Sequence, residues 1–153
     1  MEQTLVIIKP CTVARGLMGE IISRFEKKGL KITGMKMMQL DDKILEQHYA
    51  HLVDRPFFPL LRNSMKATPV VVMCVEGVNA VSVVRTMTGS TNSRNAVPGT
   101  IRGDYSMSGQ QNIVHASDSL ENAEKELNRF FDKTEIFEYQ TAMFEYLYAA
   151  DEI

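Results

Sequence analysis

The sequence predicts a single domain of the α/β (α+β) class, a four-stranded antiparallel sheet with helices packed on it, and three observations predict it. Apolar runs and helical stripes alternate in the order strand-helix-strand, strand-helix-strand. Two runs, "LVII" at Leu5–Ile8 and "VVVMCV" at Val70–Val75, are the most continuously apolar, as central strands need. The chain has 153 residues, 44% apolar and 24% charged, which fits one domain with a real core and excludes disorder. That order is the ferredoxin-like arrangement, whose first and third strands lie in the centre.

The elements follow in turn. "TLVIIKP" is the first strand, stopped by Pro10. In "GLMGEIISRFEKKG", Met18, Ile21, Ile22 and Phe25 share one helical stripe, and Lys27 and Lys28 suit the C-terminal dipole. Gly29-Leu30 then predicts a left-handed cap with its hydrophobic contact. "LKITGMKMMQ" is a second strand whose apolar set changes face near Thr33-Gly34, where a bulge is expected. Helical segments are expected from Asp41 to Met65, broken by Pro56 and Pro59. "TPVVVMCVEG" is the third strand, and Val78–Met87 a helix carrying Val81, Val84 and Arg85. "NIVHA", Asn112–Ala116, is the fourth strand. Ser119 is placed to cap a last helix with Leu120, Ala123, Leu127 and Phe130/Phe131 on one stripe.

Two stretches fall outside this economy. Residues 89–111 show no lasting periodicity, are rich in Gly, Ser, Thr and Asn, and carry Arg94 and Arg102. A connection of more than ~15 residues without regular structure is usually functional or disordered, and a functional loop is the expectation. The C-terminal segment, residues 134–153, holds Phe137, Tyr139, Phe144, Tyr146 and Tyr148, which are expected to pack on the body or on a neighbouring copy.

Composition narrows the function. The net charge of −2 lacks the basic excess of a protein that binds nucleic acid by bulk electrostatics. No apolar run approaches the ~20 residues of a membrane span, and "MEQTLVIIKP" has no basic region before its apolar run, so a cytoplasmic protein is expected. Cys11 and Cys74 stand far apart in no metal-ligand spacing and suggest no disulfide scaffold; Cys74 reads as a small buried hydrophobe. P-loop and G-x-G-x-x-G phosphate motifs are missing. His48 and His51 lie three apart with no third ligand nearby, so surface or packing histidines are expected and no protein-held metal.

His115 is the odd residue. It ends the apolar pair Ile113-Val114, and only small or polar residues follow in "ASDS". Two readings are open: a core histidine satisfied by one hydrogen bond, or a nucleophile with free space around its ring. Glu126 lies three residues from both Ala123 and Arg129, beside the apolar stripe. It is either a solvated helix glutamate or a carboxylate pointing inward that holds one ring nitrogen and leaves the other free.

"NIVHASDS" resembles the N-x-x-H-[GA]-S-D signature of the nucleoside diphosphate kinases. The resemblance runs through essentially the whole chain: "IIKP", "RGLMGEIISRFEKKGLKI", "HYAHLVDRPFF", "PVVVMCVEG", "GSTN", "PGTIRGDY" and "SDSLENAEKEL" keep the family's order and spacing. It implies a ferredoxin-like fold and reversible ping-pong transfer of the γ-phosphoryl group from a nucleoside triphosphate to a nucleoside diphosphate, with little base selectivity. By this resemblance His115 matches the residue that is phosphorylated, and a neutral imidazole suits the task. Lys9, Tyr49, Arg85, Thr91 and Arg102 match residues around the phosphates; Lys9 and Asn112 match those that reach the sugar hydroxyls. Phe57 matches the aromatic under the base, Glu126 the carboxylate that orients the histidine, and Ser117 its hydroxyl neighbour.

Mg²⁺ is implied as the companion of the nucleotide, without dedicated protein ligands, Asp118 reaching it only through water. A homo-oligomer is implied as well, with neither membrane nor nucleic acid required. The chain departs from the family at Cys11-Thr12, where an aspartate and a small residue are usual; Thr12 is expected to share the capping role of the lost carboxylate. Its C-terminus is also longer and more aromatic than in many members. Taken alone, without the resemblance, Phe57 reads as core, Arg85 as a helix-surface charge and Lys9 as a strand-end charge. The alternative functions are a non-catalytic nucleotide-binding or scaffold member of the same fold, against which His115, Lys9, Arg85, Arg102 and Asn112 together speak, and a nucleic-acid-binding regulator.

Overall fold

The computed structural model describes residues 1–153. Four strands, β1 (Glu2–Ile8), β2 (Lys31–Met38), β3 (Val70–Gly77) and β4 (Val114–Ala116), form one sheet in the order β2-β3-β1-β4, with every pairing antiparallel. The two continuously apolar runs are therefore the central strands, as expected. Alternate residues explain why they are apolar throughout. Leu5, Ile7, Val70, Val72 and Cys74 enter one core, while Val6, Ile8, Val71, Met73 and Val75 enter the other. Both faces of the sheet are covered, so every position of the runs Leu5–Ile8 and Val70–Val75 is buried.

Helices α1 (Pro10–Ala14) and α2 (Met18–Lys28) follow β1. Ile21 and Phe25 of α2 are buried against the second core, and Gly29 closes the helix at φ 95°, with Leu30 N–H donating to the Phe25 carbonyl. The bulge in β2 falls between Ile32 and Gly34, where the register shifts. Next come α3 (Asp42–His48), a 3₁₀ turn at Ala50–Leu52 and α4 (Phe58–Met65). Pro59 does not break this region. It sits in the first turn of α4, where a missing N–H costs nothing, so it opens the helix. After β3 come α5 (Ala80–Thr88), α6 (Ile101–Tyr105), α7 (Leu120–Phe130) and α8 (Phe144–Leu147). Ser119 caps α7 by accepting from Asn122 N–H. Ala123, Leu127 and Phe130 form its buried stripe, whereas Leu120 is exposed because its turn precedes the packed part of the helix.

Three further expectations are corrected. Residues 89–111 are not without regular structure: they contain a 3₁₀ turn at Ser93–Asn95 and all of α6, whose first turn Thr100 caps by accepting from Gly103 N–H. Periodicity is invisible in so short a helix. The fourth strand is shorter than Asn112–Ala116, because Ile113 turns to φ 74° and Val114 N–H donates back to the Asn112 carbonyl at 2.9 Å. This is a γ-turn centred on a β-branched residue, a strained conformation. Thr12, finally, does not cap α1. Its buried hydroxyl donates to the Ile113 carbonyl at 2.6 Å, and Lys9 N–H donates to the same oxygen at 2.9 Å.

The C-terminal segment runs along the outside of β2. Phe137 N–H donates to the Thr33 carbonyl and the Tyr139 hydroxyl to that of Ile32. The Tyr148 hydroxyl accepts from Val78 N–H, but Phe137 and Tyr146 remain exposed. No helix is long and apolar enough to cross a membrane.

The strained turn at Ile113 depends on its two donors. Thr12→Val keeps the volume and removes one of them, while Lys9 N–H still satisfies the carbonyl. The expected cost is about 1 kcal/mol, a Tm lowered by about 2–4 °C in thermal unfolding. An unchanged Tm would mean that the hydroxyl holds nothing.

Candidate active site

Register places His115. It pairs with Ile7 across β1, and Ile7 belongs to the core face that α3, α4 and α7 cover. Residues opposite one another on antiparallel strands share a face, so the His115 ring stands between β4 and α7. There His115 Nε2 meets Glu126 Oε2 at 2.9 Å, and the Ser117 hydroxyl donates to the same oxygen at 2.7 Å. Burial opposes a charge on Glu126, but the hydrogen bonds from His115 and Ser117 outweigh it and hold this carboxyl below its ordinary value. An ionised Glu126 accepts from Nε2–H, which leaves Nδ1 as the unprotonated nitrogen. Of the two readings of Glu126, the inward one is correct.

A pocket of about 860 Å³ opens over this pair. It brings together Lys9, Tyr49, Phe57, Arg85, Thr91, Arg102, Asn112, His115, Asp118 and Glu126, ten of the eleven positions singled out by sequence. The eleventh, Ser117, is fully buried beneath it; its hydroxyl also receives Leu5 N–H, so it steadies Glu126 and does not face the pocket. Phe57 stands half exposed at the mouth.

Arg102 is 5% exposed and meets no carboxylate. Its guanidinium donates to the carbonyls of Gly89, Asn112 and Val114, tying the start of the long loop to its end. Burial, then repulsion from Arg85, lowers its pKa to about 10. Lys9 donates to Asn112 Oδ1 at 2.6 Å and to the Gln110 carbonyl, and burial, then Arg102, lowers its pKa to about 8. The Asn112 amide donates to the carbonyls of Thr91 and Gly109, so in this structure it stitches the loop. Tyr49 is held neutral, its phenol pushed well up by burial.

Sequence reasoning missed two residues of this site. His48 and His51 do not share a helix face: His51 lies exposed in the 3₁₀ turn, while His48 ends α3, buried, its ring 4.5 Å from that of His115. Arg129 lines the pocket and donates to His48 Nδ1 at 3.2 Å. The helical position of Arg129, three after Glu126, was the available signal. Ligand-capable atoms of His48, His115 and Glu126 lie within 4.8 Å of one another. Lys9, Arg85, Arg102 and Arg129 line the same pocket, and this charge favours an anion there.

Comparison with known proteins settles the kinship. The family model "Nucleoside diphosphate kinase" matches residues 2–136. This chain belongs to the nucleoside diphosphate kinase family. The chain is 63% identical over 152 residues to the nucleoside diphosphate kinase of Parabacteroides distasonis, covering 99% of each. It is 48% identical to nucleoside diphosphate kinase B of Bos taurus, covering 96% of this chain and 97% of that one. Among solved structures, the Halobacterium salinarum nucleoside diphosphate kinase in complex with CDP superposes with a TM-score of 0.94 at 39% identity, covering 97% of this chain and 99% of that one. The kinase thus shares its fold with these enzymes over nearly its full length.

Lys9 gives this site a titration of its own. Its buried ammonium is present below pH 8 and lost above it, whereas an ordinary lysine stays charged to 10.5. In protein labelled with ¹³C at lysine Cε, one resonance should titrate near pH 8 and be missing from Lys9→Met. A spectrum in which every lysine titrates near 10.5 would contradict the burial argument.

Proposed function

We propose that this kinase carries the γ-phosphoryl group on His115 Nδ1, taking it from a nucleoside triphosphate and giving it to a nucleoside diphosphate in a second half-reaction. The observation that carries the proposal is the 2.9 Å contact between His115 Nε2 and Glu126, which commits one ring nitrogen and leaves the other for attack. As Nδ1 bonds to phosphorus, the bond from phosphorus to the β-phosphate oxygen breaks and the leaving diphosphate takes the electron pair. Positive charge grows on the ring, and Glu126 stabilises it through the retained Nε2–H.

Phosphoryl transfer asks little of the protein beyond the nucleophile, positioning and cancellation of charge. Lys9, Arg85 and Arg102 supply the positive charge, with Tyr49 and Thr91 beside the phosphates. Asn112 Oδ1 and Lys9 face the sugar hydroxyls, and Phe57 stacks under the base. Stacking reads no hydrogen-bond pattern, so purines and pyrimidines are both accepted. Asp118 is the one pocket carboxylate not committed to His115, a donor set that suits a Mg²⁺ carried mainly by phosphate oxygens and water. Asp118 would hold it through water, and the ion, when bound, neutralises and aligns the phosphates. That a relative was solved in complex with CDP supports a nucleoside diphosphate as one substrate. The reading includes a cytoplasmic homo-oligomer; the exposed Met35 and Met37 on the edge strand β2, beyond the part that the C-terminal segment covers, support association.

Incubation with any γ-labelled nucleoside triphosphate and Mg²⁺, purine or pyrimidine, should label the protein without an acceptor, and the label should be acid-labile. His115→Ala should take up none; stable stoichiometric label on that variant sinks the assignment. Glu126→Gln keeps the shape and loses the charge. Turnover should fall roughly ten- to a hundredfold, a barrier higher by about 1.4–2.8 kcal/mol, with nucleotide affinity hardly moved. Wild-type turnover in the folded Glu126→Gln protein would remove Glu126 from the mechanism.

A further inference from the structure

Arg129 has no carboxylate partner, although it sits one turn from Glu126 on α7. It spends an N–H on the Nδ1 atom of His48. A guanidinium only donates, so His48 Nδ1 must accept, and the neutral ring carries its proton on Nε2. That Nε2–H is buried and has no partner. The cost of an orphaned donor is tolerated here, which marks the neutral ring as the state the fold selects.

His48 competes for the carboxylate that orients His115. Its Nδ1 lies 3.9 Å from Glu126 Oε1, while His115 and Ser117 hold Oε2. A protonated His48 would present Nδ1–H to Glu126 and place a positive charge 4.5 Å from the His115 ring, where positive charge must grow during transfer. The groups facing His48 are His115 from β4, Glu126 and Arg129 from α7, Lys9 from the end of β1, and Tyr49 next along the chain. Phe130 of α7 adds an apolar ring edge-on at 5.2 Å. Only Glu126 among them favours the charged ring.

We infer that Arg129 is a positioning residue: by occupying His48 Nδ1 it keeps His48 neutral and reserves Glu126 for His115. The inference rests on the phosphohistidine reading above. Burial, then the neighbouring His115, already lowers His48 to about 3 in the intact protein. Without Arg129, a repelling charge and the N–H that occupies Nδ1 are both lost, so Nδ1 is free to take a proton and donate it to Glu126, and His48 protonates more readily. The sign follows: activity is impaired below the new pKa of His48 and recovers above it.

The test is the ratio of Arg129→Leu to wild-type turnover across pH 5.5–8.5 with ATP and GDP, which cancels every titration the two proteins share. If His48 returns to the ordinary histidine value of about 6.5, about nine-tenths of it is charged at pH 5.5. The ratio should then fall about tenfold between pH 8 and pH 5.5, in kcat and not in KM. Arg129→Lys, which keeps a donor, should restore most of it. In ¹⁵N-histidine spectra His48 should stay neutral to pH 4 in the wild type and titrate near the ordinary value of about 6.5 in Arg129→Leu. A loss independent of pH, or a His48 that stays neutral in the variant, overturns the inference. Acid-labile labelling at each pH separates the two readings: equal labelling of both proteins throughout removes only the role of Arg129, whereas no label on either removes the phosphohistidine and this inference with it.

Discussion

Positive charge buried without a negative partner is the constraint around which the working half of this molecule is built. Arg102 and Lys9 are both shielded from water, and both turn to neutral oxygens, the carbonyls of Gly89, Asn112, Val114 and Gln110 and the amide of Asn112. Burying an ion costs several kcal/mol even after relaxation, and carbonyl dipoles offset only part of that. The depressed pKa values, about 10 and about 8, are the same cost seen as proton affinity. What the fold gains is a loop closed at both ends by one side chain. What it retains is positive charge at the pocket, which a bound anion would relieve. Stability is given up where charge is needed later.

The same residues set the strain beside His115. The Ile113 carbonyl takes two donors, Thr12 Oγ1 and Lys9 N–H, from the chain leaving β1. Holding that oxygen forces Ile113 into a left-handed turn and shortens β4 to three residues. The cost of such a backbone, of order 1–3 kcal/mol, persists because Ile113 is fully buried and overdetermined by its neighbours. His115 follows two residues later with its register fixed against Ile7. A one-residue slip would send the imidazole to the opposite face, away from α7 and Glu126.

How far this was legible in sequence depends on the range of the forces involved. The central strands, the bulge near Gly34, the cap at Gly29 and the stripe of α7 are set by local periodicity and backbone preference, and they read directly. Helix α6 and the turn at Ile113 did not, because each is imposed by contacts far away in the chain: Arg102 to Gly89, Thr12 to Ile113. Local preference would never place a β-branched residue at φ 74°. The pocket residues were legible through the family motifs, whereas their composition alone left bland readings open. His48 escaped because its meaning lies in which atom donates to which, and for Arg129 the only signal was its helical spacing from Glu126.

His115 therefore stands between two opposed fields. On the loop side are Lys9, Arg85 and Arg102; on the helix side is Glu126, reached through Nε2. For an attacking imidazole this polarity has one useful direction. In the proposed transfer the cations would draw the electron-rich leaving diphosphate away from phosphorus, and the carboxylate would stabilise the positive charge left on the ring. In the reverse half-reaction the same two fields act on the same atoms, since an incoming diphosphate again meets the cations. A transfer that runs in both directions, as proposed, needs a field fixed before either substrate arrives. Rigid backbone carbonyls around Arg102, a strained but locked turn at Ile113 and an ionised Glu126 steadied by Ser117 supply it without reorganisation.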